Sequence, residues 1–345
     1  MCFGGRESTP QTFHKIQNPK SKIEMTKIIF DTDPGGDDAF ALLWLQSLAK
    51  QGHAELIAVT TAEGNINSKL TFINASKVLS LGGFEKVELG RGVTVKNPQA
   101  DDAAHIHGMD GMGNISNNLP AAKHDFEKAV YSDDLIIDKL NAYPGEVSIL
   151  AVGPLTNLAA AETKSPGILK KAKEIVIMGG AFKVPGNVTT HAEFNIFYNP
   201  EAAEKVFSSC NNLVILPLDI TEKLLFTPEM AEDIMSSSQN HLTQFISDLC
   251  DFMTEANLRY RQTRGFKGFL VHDGAAVAYL FYPETLLFCR AKVDVETQGK
   301  HTLGKTFFDE RFIAKKDANS WVALEVDKEG LLASLLEDIK FLCMD

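Results

Sequence analysis

Four short apolar runs set the limits on how this chain can fold: ELIAVTT at 55–61, VSILAV at 147–152, EIVIM at 174–178 and LVILPL at 213–218. Each is apolar almost throughout and rich in β-branched residues. That is the pattern of a strand covered on both faces, because a strand with one wet face would alternate. Shorter strand-like runs stand at 27–30 and 87–90, and segments with helical apolar spacing at 39–50, 68–81 and 155–162. Strands alternating with helices predict an open, mostly parallel sheet with helices on both faces, a Rossmann-like α/β fold. After about residue 227 the pattern turns helical, at 230–260 and 275–282. A β-like stretch at 321–326 and a closing helix at 330–342 complete it.

The 345 residues suffice for one large α/β domain, and no repeat or linker divides them after residue 26. We expect a single domain over 27–345. Residues 1–26 contain Pro10, Pro19, scattered lysines and few apolar residues, and read as a disordered extension with Met25 as an alternative start. They lack the apolar core of a secretory signal; a short organelle-targeting segment is the other reading. A net charge of −11 argues against a nucleic-acid partner. No apolar run approaches the ~20 residues of a membrane span. The cysteines Cys2, Cys210, Cys250, Cys289 and Cys343 are odd in number and show no CxxC spacing. They read as reduced thiols of a cytoplasmic protein.

The first strand runs into DTDPGGDD, which puts Asp31, Asp33, Asp37 and Asp38 within eight residues, and a helix follows. Clustered carboxylates raise one another's pKa values. A helix N-terminus relieves this by only about 0.3–1 kcal/mol per group. A divalent cation is the simpler stabiliser, and an oxygen-only donor set suits Ca²⁺ or Mg²⁺ better than Zn²⁺. Further strands end in Glu63-Gly64-Asn65, Val152-Gly153-Pro154 and Met178-Gly179-Gly180. In parallel α/β sheets the carboxyl ends of the strands form the ligand crevice. A solvated turn cluster is the bland alternative. An Asp-x-Asp after a first strand also opens haloacid-dehalogenase-like phosphatases, but Pro34-Gly35 and Asp37-Asp38 fit that pattern poorly. A P-loop is excluded, since no Lys-Ser/Thr follows the glycines.

With these motifs the chain resembles the nucleoside hydrolases, the inosine-uridine preferring nucleoside N-ribohydrolases. Their signature DTDPGxDD is matched at 31–38, with Gly36 where a branched apolar residue is usual. That departure implies added flexibility and removes no ligand. Matches continue in order: Glu63-Gly64-Asn65, His107-Gly108-Met109-Asp110-Gly111, Gly153-Pro154-Leu155-Thr156-Asn157, Met178-Gly179-Gly180, Gly186-Asn187-Val188-Thr189, Ala192-Glu193-Phe194-Asn195 and His272-Asp273. VALEVD at 322–327 also fits, so the resemblance covers about 27–340.

The resemblance implies Ca²⁺ held by Asp33, Asp38, Asp273 and the carbonyl of Val152. The ion also holds the attacking water and two ribose hydroxyls, with Asp33 in the place of the general base. Asp37, Asn65, Asn187, Glu193 and Asn195 take the ribose-binding places, and Met178 packs near them. The implied reaction is hydrolysis of the N-glycosidic bond of inosine- or uridine-type ribonucleosides to ribose and free base. The implied assembly is a homodimer or homotetramer.

The chemistry agrees: an oxocarbenium-like ribosyl cation is stabilised by carboxylates and amide oxygens placed around it. A departing base anion needs a proton donor, for which His is suited. His272, beside Asp273, and His107, in the glycine-rich AHIHGMDGMG, are the candidates. Asn157 reads as a helix-start residue and not a ligand. Tyr260, Arg261 and Arg264 read as a solvated helix end that could cover the base. A phosphatase and a non-catalytic nucleoside-binding member are the alternatives; intact Asp33, Asp38, Asn195 and Asp273 count against the latter.

Overall fold

The computed structural model describes residues 25–309, 311 and 317–344. Strand β1 (Thr26–Thr32), helix α1 (Gly36–Lys50), β2 (Ala54–Thr61), helix α2 (Ser68–Leu81) and β3 (Glu88–Gly90) open the chain. Strands β4 (Val147–Ala151), β5 (Glu174–Met178) and β6 (Leu213–Leu216) follow. With the strands Ser320–Val326 and Leu286–Ala291 they make one eight-stranded sheet, in the order β3-β2-β1-β4-β5-β6, then 320–326, then 286–291. Within this sheet, among the described residues, only Leu286–Ala291 runs antiparallel, against Ser320–Val326. The parallel register is what the buried apolar strands foretold. Ile149, Leu150, Val176 and Ile177 are all fully buried, because helices cover both faces.

The order reverses between β1 and β4, and that places the site. Asp31 pairs with Thr60 on one side and with Ala151 on the other. Beyond the strand ends, the Ala62 N–H donates to Thr32 O and the Val152 N–H to Asp31 O. The chain therefore leaves β1, β2 and β4 at one level, at the topological switch point.

Helix α1 is buried at every residue from Gly36 to Leu48. It is wedged between α2, the helix Gly274–Phe281 and the C-terminal helix Lys328–Met344. At its far end Asp338 accepts hydrogen bonds from Trp44 Nε1 at 2.6 Å, Tyr282 Oη at 2.5 Å and Gln51 Nε2 at 2.8 Å.

Several expectations need correction. The helical stretch 230–260 is two helices, Pro228–Ser237 and His241–Arg259. Asn240 breaks it by capping the second: its side chain accepts the N–H groups of Leu242 and Thr243. Strand β6 stops at Leu216, because Pro217 lacks the N–H a central strand needs. Helices Ser132–Ala142 and Pro200–Ser209 and strand Leu286–Ala291 were not anticipated. Of the expected extension 1–26, residues 1–24 lie outside the described residues, and Thr26 already belongs to β1. Cys2 lies outside them too; Cys210, Cys250 and Cys343 are buried free thiols, and Cys289 is half-buried. Among the described residues no helix is long and apolar enough to cross a membrane.

Candidate active site

The turn between β1 and α1 is built around Asp38. Its Oδ1 accepts the Thr32 hydroxyl and the Asp33 N–H, and its Oδ2 accepts the Gly35 N–H at 2.9 Å. A carboxylate in the first turn of a helix satisfies N–H groups that would otherwise be orphaned. Asn65, from the turn after β2, reaches in from the side. Its N–H donates to Asp33 Oδ2 at 2.7 Å, and its amide nitrogen to Asp33 O and Asp38 Oδ2, both at 3.1 Å. Asp33 Oδ1 is buried with no partner among the described residues. Gly64 and Gly153 are small because Asp33 is there. A Cβ on Gly153 would stand 2.5 Å from Asp33 Oδ1, and one on Gly64 would collide with Oδ2.

Asp37, Asp38 and Asp273 each bring a carboxylate oxygen to within 4.8 Å of the others, and all three are buried. Asp273 arrives from the opposite end of the chain, at the start of helix Gly274–Phe281. Burial, then the neighbouring Asp38, pushes Asp37 up to about 8. Burial, then Asp37, Asp38 and Asp33, holds Asp273 well above the usual carboxylate range. Asp33 is raised in the same way, by burial and then by Asp38. Asp38 is raised by burial, against the hydrogen bonds from Thr32, Gly35 and Asp33. Such a group of acids, short of compensating cations, suits a divalent cation with oxygen ligands.

Asp37, Asp38 and Asp273 line a cavity of about 480 Å³, within the range of ordinary small-ligand sites. One wall comes from the segment after β5. Glu193 caps helix Phe194–Tyr198, its carboxylate accepting the N–H groups of Asn195, Ile196 and Gly180. Burial raises its pKa. The Asn195 amide donates to Val152 O at 2.8 Å and Met178 O at 3.1 Å, and lies 3.6 Å from Met178 Sδ. Asn187 accepts the Phe194 N–H at 2.9 Å, which ties the 186–189 loop to the same helix.

The other wall carries the histidines. His107 Nδ1 accepts the Gly36 N–H at 3.0 Å, so the ring proton sits on Nε2. Asp110 folds that loop by accepting the N–H groups of Met112, Asn114 and Ser116. His272 Nδ1 shares a hydrogen bond with the Thr221 hydroxyl at 2.8 Å. Burial lowers His107 to about 3 and His272 to about 4, so both rings are neutral at pH 7.

All the expected site residues except Asp33 line this one cavity; Asp33 lies beneath it, 1% exposed. The carboxylate triad is composed differently from the expected ligand set. Asp37, assigned to the sugar, joins Asp38 and Asp273, and Asp33 stands outside the triad. Gly36 is the first residue of the buried helix α1. Asn157 is structural, as expected, yet it caps nothing. Its amide donates to Asp31 Oδ1 and Thr61 O, and its carbonyl accepts the Val93 N–H. Thr221, Met253 and Asn257 were not anticipated. Thr221 reaches His272 and Met253 reaches Gly36 across long sequence separations, Asn257 lines the cavity, and none belongs to a local motif.

Residues 28–333 match the family model of the inosine-uridine preferring nucleoside hydrolases. A probable uridine nucleosidase 1 from Oryza sativa subsp. japonica is 35% identical over 325 residues, 92% of this chain and 97% of its own. An inosine-uridine preferring nucleoside hydrolase from Crithidia fasciculata is 34% identical over 320 residues, 91% and 98% of the two chains. Among solved structures, a purine-preferring ribonucleoside hydrolase from Gardnerella vaginalis superposes with a TM-score of 0.84 at 27% identity, covering 92% of this chain and 99% of that one. By a match that spans almost all of the folded region, the chain belongs to the inosine-uridine preferring nucleoside hydrolase family and is an N-glycosidase that acts on ribonucleosides.

Proposed function

We propose that this enzyme uses Ca²⁺ to hydrolyse inosine- and uridine-type ribonucleosides to ribose and free base. The observation that carries this reading is the meeting of Asp37, Asp38 and Asp273 at the cavity, together with an Asp33 Oδ1 that has no partner among the described residues. All-oxygen donors crowded at this density fit a calcium ion. Asp33, Asp38, Asp273 and the Val152 carbonyl would hold it, with Asp37 alongside. Bound there, it supplies Lewis acidity toward a water and toward the sugar hydroxyls.

The chain's own groups do the rest. Asp33 accepts the proton of the attacking water, since Oδ1 has no competing donor among the described residues. Asp37, Asn65, Asn187, Glu193 and Asn195 bind the ribose hydroxyls, with Met178 packed against the sugar. Their oxygens lie where the ribosyl cation develops its charge. His107 and His272 donate to the departing base from neutral imidazole N–H groups. The enzyme reads as a cytoplasmic homodimer or homotetramer without nucleic-acid or membrane partners, with one catalytic domain that opens at strand β1.

A reducing-sugar assay on a panel of ribonucleosides, with and without chelator, tests the proposal. Ribose release that chelation abolishes and Ca²⁺ restores supports it. Phosphate release from phosphate esters in its place would return the chain to the phosphatase reading.

A further inference from the structure

Helix His241–Arg259 packs two consecutive residues onto two glycines beside His107. Met253 lies over Gly36: a Cβ there would stand 2.8 Å from Met253 Sδ and 2.9 Å from its Cγ and Cε. Phe252 lies over Gly113, where a Cβ would stand 3.1 Å from the ring. Both glycines are bonded to His107: the Gly36 N–H to Nδ1, and the Gly113 N–H to the carbonyl oxygen at 2.8 Å. Gly113 has φ 68°, which glycine adopts without strain. Met253 is 2% exposed and still lines the cavity, beside the Gly36–His107 hydrogen bond.

We propose that Met253 is a specificity-determining residue for the nucleobase, admitted to the cavity by the absence of a side chain at Gly36. The inference rests on the nucleoside hydrolase reading above, which puts the base on the histidine side. There the thioether forms an apolar wall. An unbranched thioether re-packs readily, so the wall adapts to bicyclic and monocyclic bases alike. A side chain at position 36 would push Met253 into the space the base needs. Since the obstructing atoms are the end of a flexible side chain, the fold can yield there.

The test is a double-mutant cycle of Gly36→Ala and Met253→Ala, with kcat and KM measured on inosine and on uridine. Gly36→Ala is expected to raise KM for inosine about tenfold more than for uridine, a typical cost of a misplaced methyl-sized group in an apolar pocket. Adding Met253→Ala should return the two KM values to within about twofold of their original ratio. Met253→Ala alone, which leaves Gly36 untouched, should shift preference toward inosine, while Met253→Leu keeps it. A substrate ratio that no variant moves, or a Gly36→Ala defect that Met253→Ala does not relieve, overturns the proposal. Wild-type enzyme that releases no ribose from either nucleoside overturns the underlying reading, and this assignment with it.

Discussion

Asn65 holds Asp33 by one carboxylate oxygen and leaves the other bare: its N–H donates to Oδ2 at 2.7 Å, while Oδ1 is buried without a partner among the described residues. A carboxylate so held is oriented without being neutralised. Asp33→Ala is therefore expected to cut kcat by about 10²–10⁴-fold, the usual range for a lost general base. It should not lower the melting temperature of the chelator-treated protein, because the lost group is a poorly compensated buried acid. Near-normal ribose release from the variant would remove Asp33 from the base role.

The acid cluster makes stability depend on pH in a definite direction. Asp37 titrates near 3.8 when unfolded and near 8 when folded, and Asp33 and Asp273 are raised in the same sense. Between those values the folded chain binds protons that the unfolded chain has released, so stability falls as pH rises. Calorimetry in chelator should show a melting temperature that declines from about pH 5 to pH 8. Saturating Ca²⁺ should lift it most at the alkaline end, by favouring the deprotonated acids. A pH-independent melting temperature in chelator, unmoved by Ca²⁺, would count against the cluster as a cation site.

Both histidines are neutral, the His107 proton being fixed on Nε2 by the Gly36 N–H, and in the proposed mechanism they donate to the departing base. Their value depends on how much help the leaving group needs. His272→Ala should lower kcat/KM on inosine by about 10²-fold or more. It should lower p-nitrophenyl riboside turnover far less, because p-nitrophenolate leaves unaided. Equal losses on both substrates would assign the donation elsewhere, with His107→Ala the next variant to measure.

Much of this architecture was legible because its signals are local. Strands β4 and β5 are buried on both faces and so are apolar at nearly every position, and β1 and β2 have apolar centres; DTDPGGDD then marks the turn out of β1. Helix Pro200–Ser209 escaped notice because Pro200 reads as a breaker, although proline is favoured at a helix's first position. Helix Ser132–Ala142 opens with acids that serve its N-terminus but dilute its apolar face. Within the site, the motifs named the acids but not their grouping. Whether Asp37 or Asp33 faces Asp273 depends on how α1 sits against a helix more than 230 residues later, which no local pattern encodes. The Met253–Gly36 contact is hidden for the same reason.

The far end of α1 gives a prediction about stability separate from chemistry. Asp338, from the C-terminal helix, accepts Trp44 Nε1, Tyr282 Oη and Gln51 Nε2, and Trp44 stacks on Tyr282 at 5.7 Å. Trp44 is fully buried and Asp338 is 7% exposed, so water cannot replace the carboxylate for the indole. Asp338→Ala strands these donors, at about 1–3 kcal/mol for a buried unsatisfied group. Urea unfolding should show a lower midpoint at unchanged slope, worth about 2–4 kcal/mol in all. Turnover per folded molecule should hold, because the acids of the first turn are positioned by Thr32, Gly35 and Asn65 and not by this end of the helix. An unchanged midpoint would mean that the three donors find other partners. A loss of turnover at full folding would mean that the two ends of α1 are coupled.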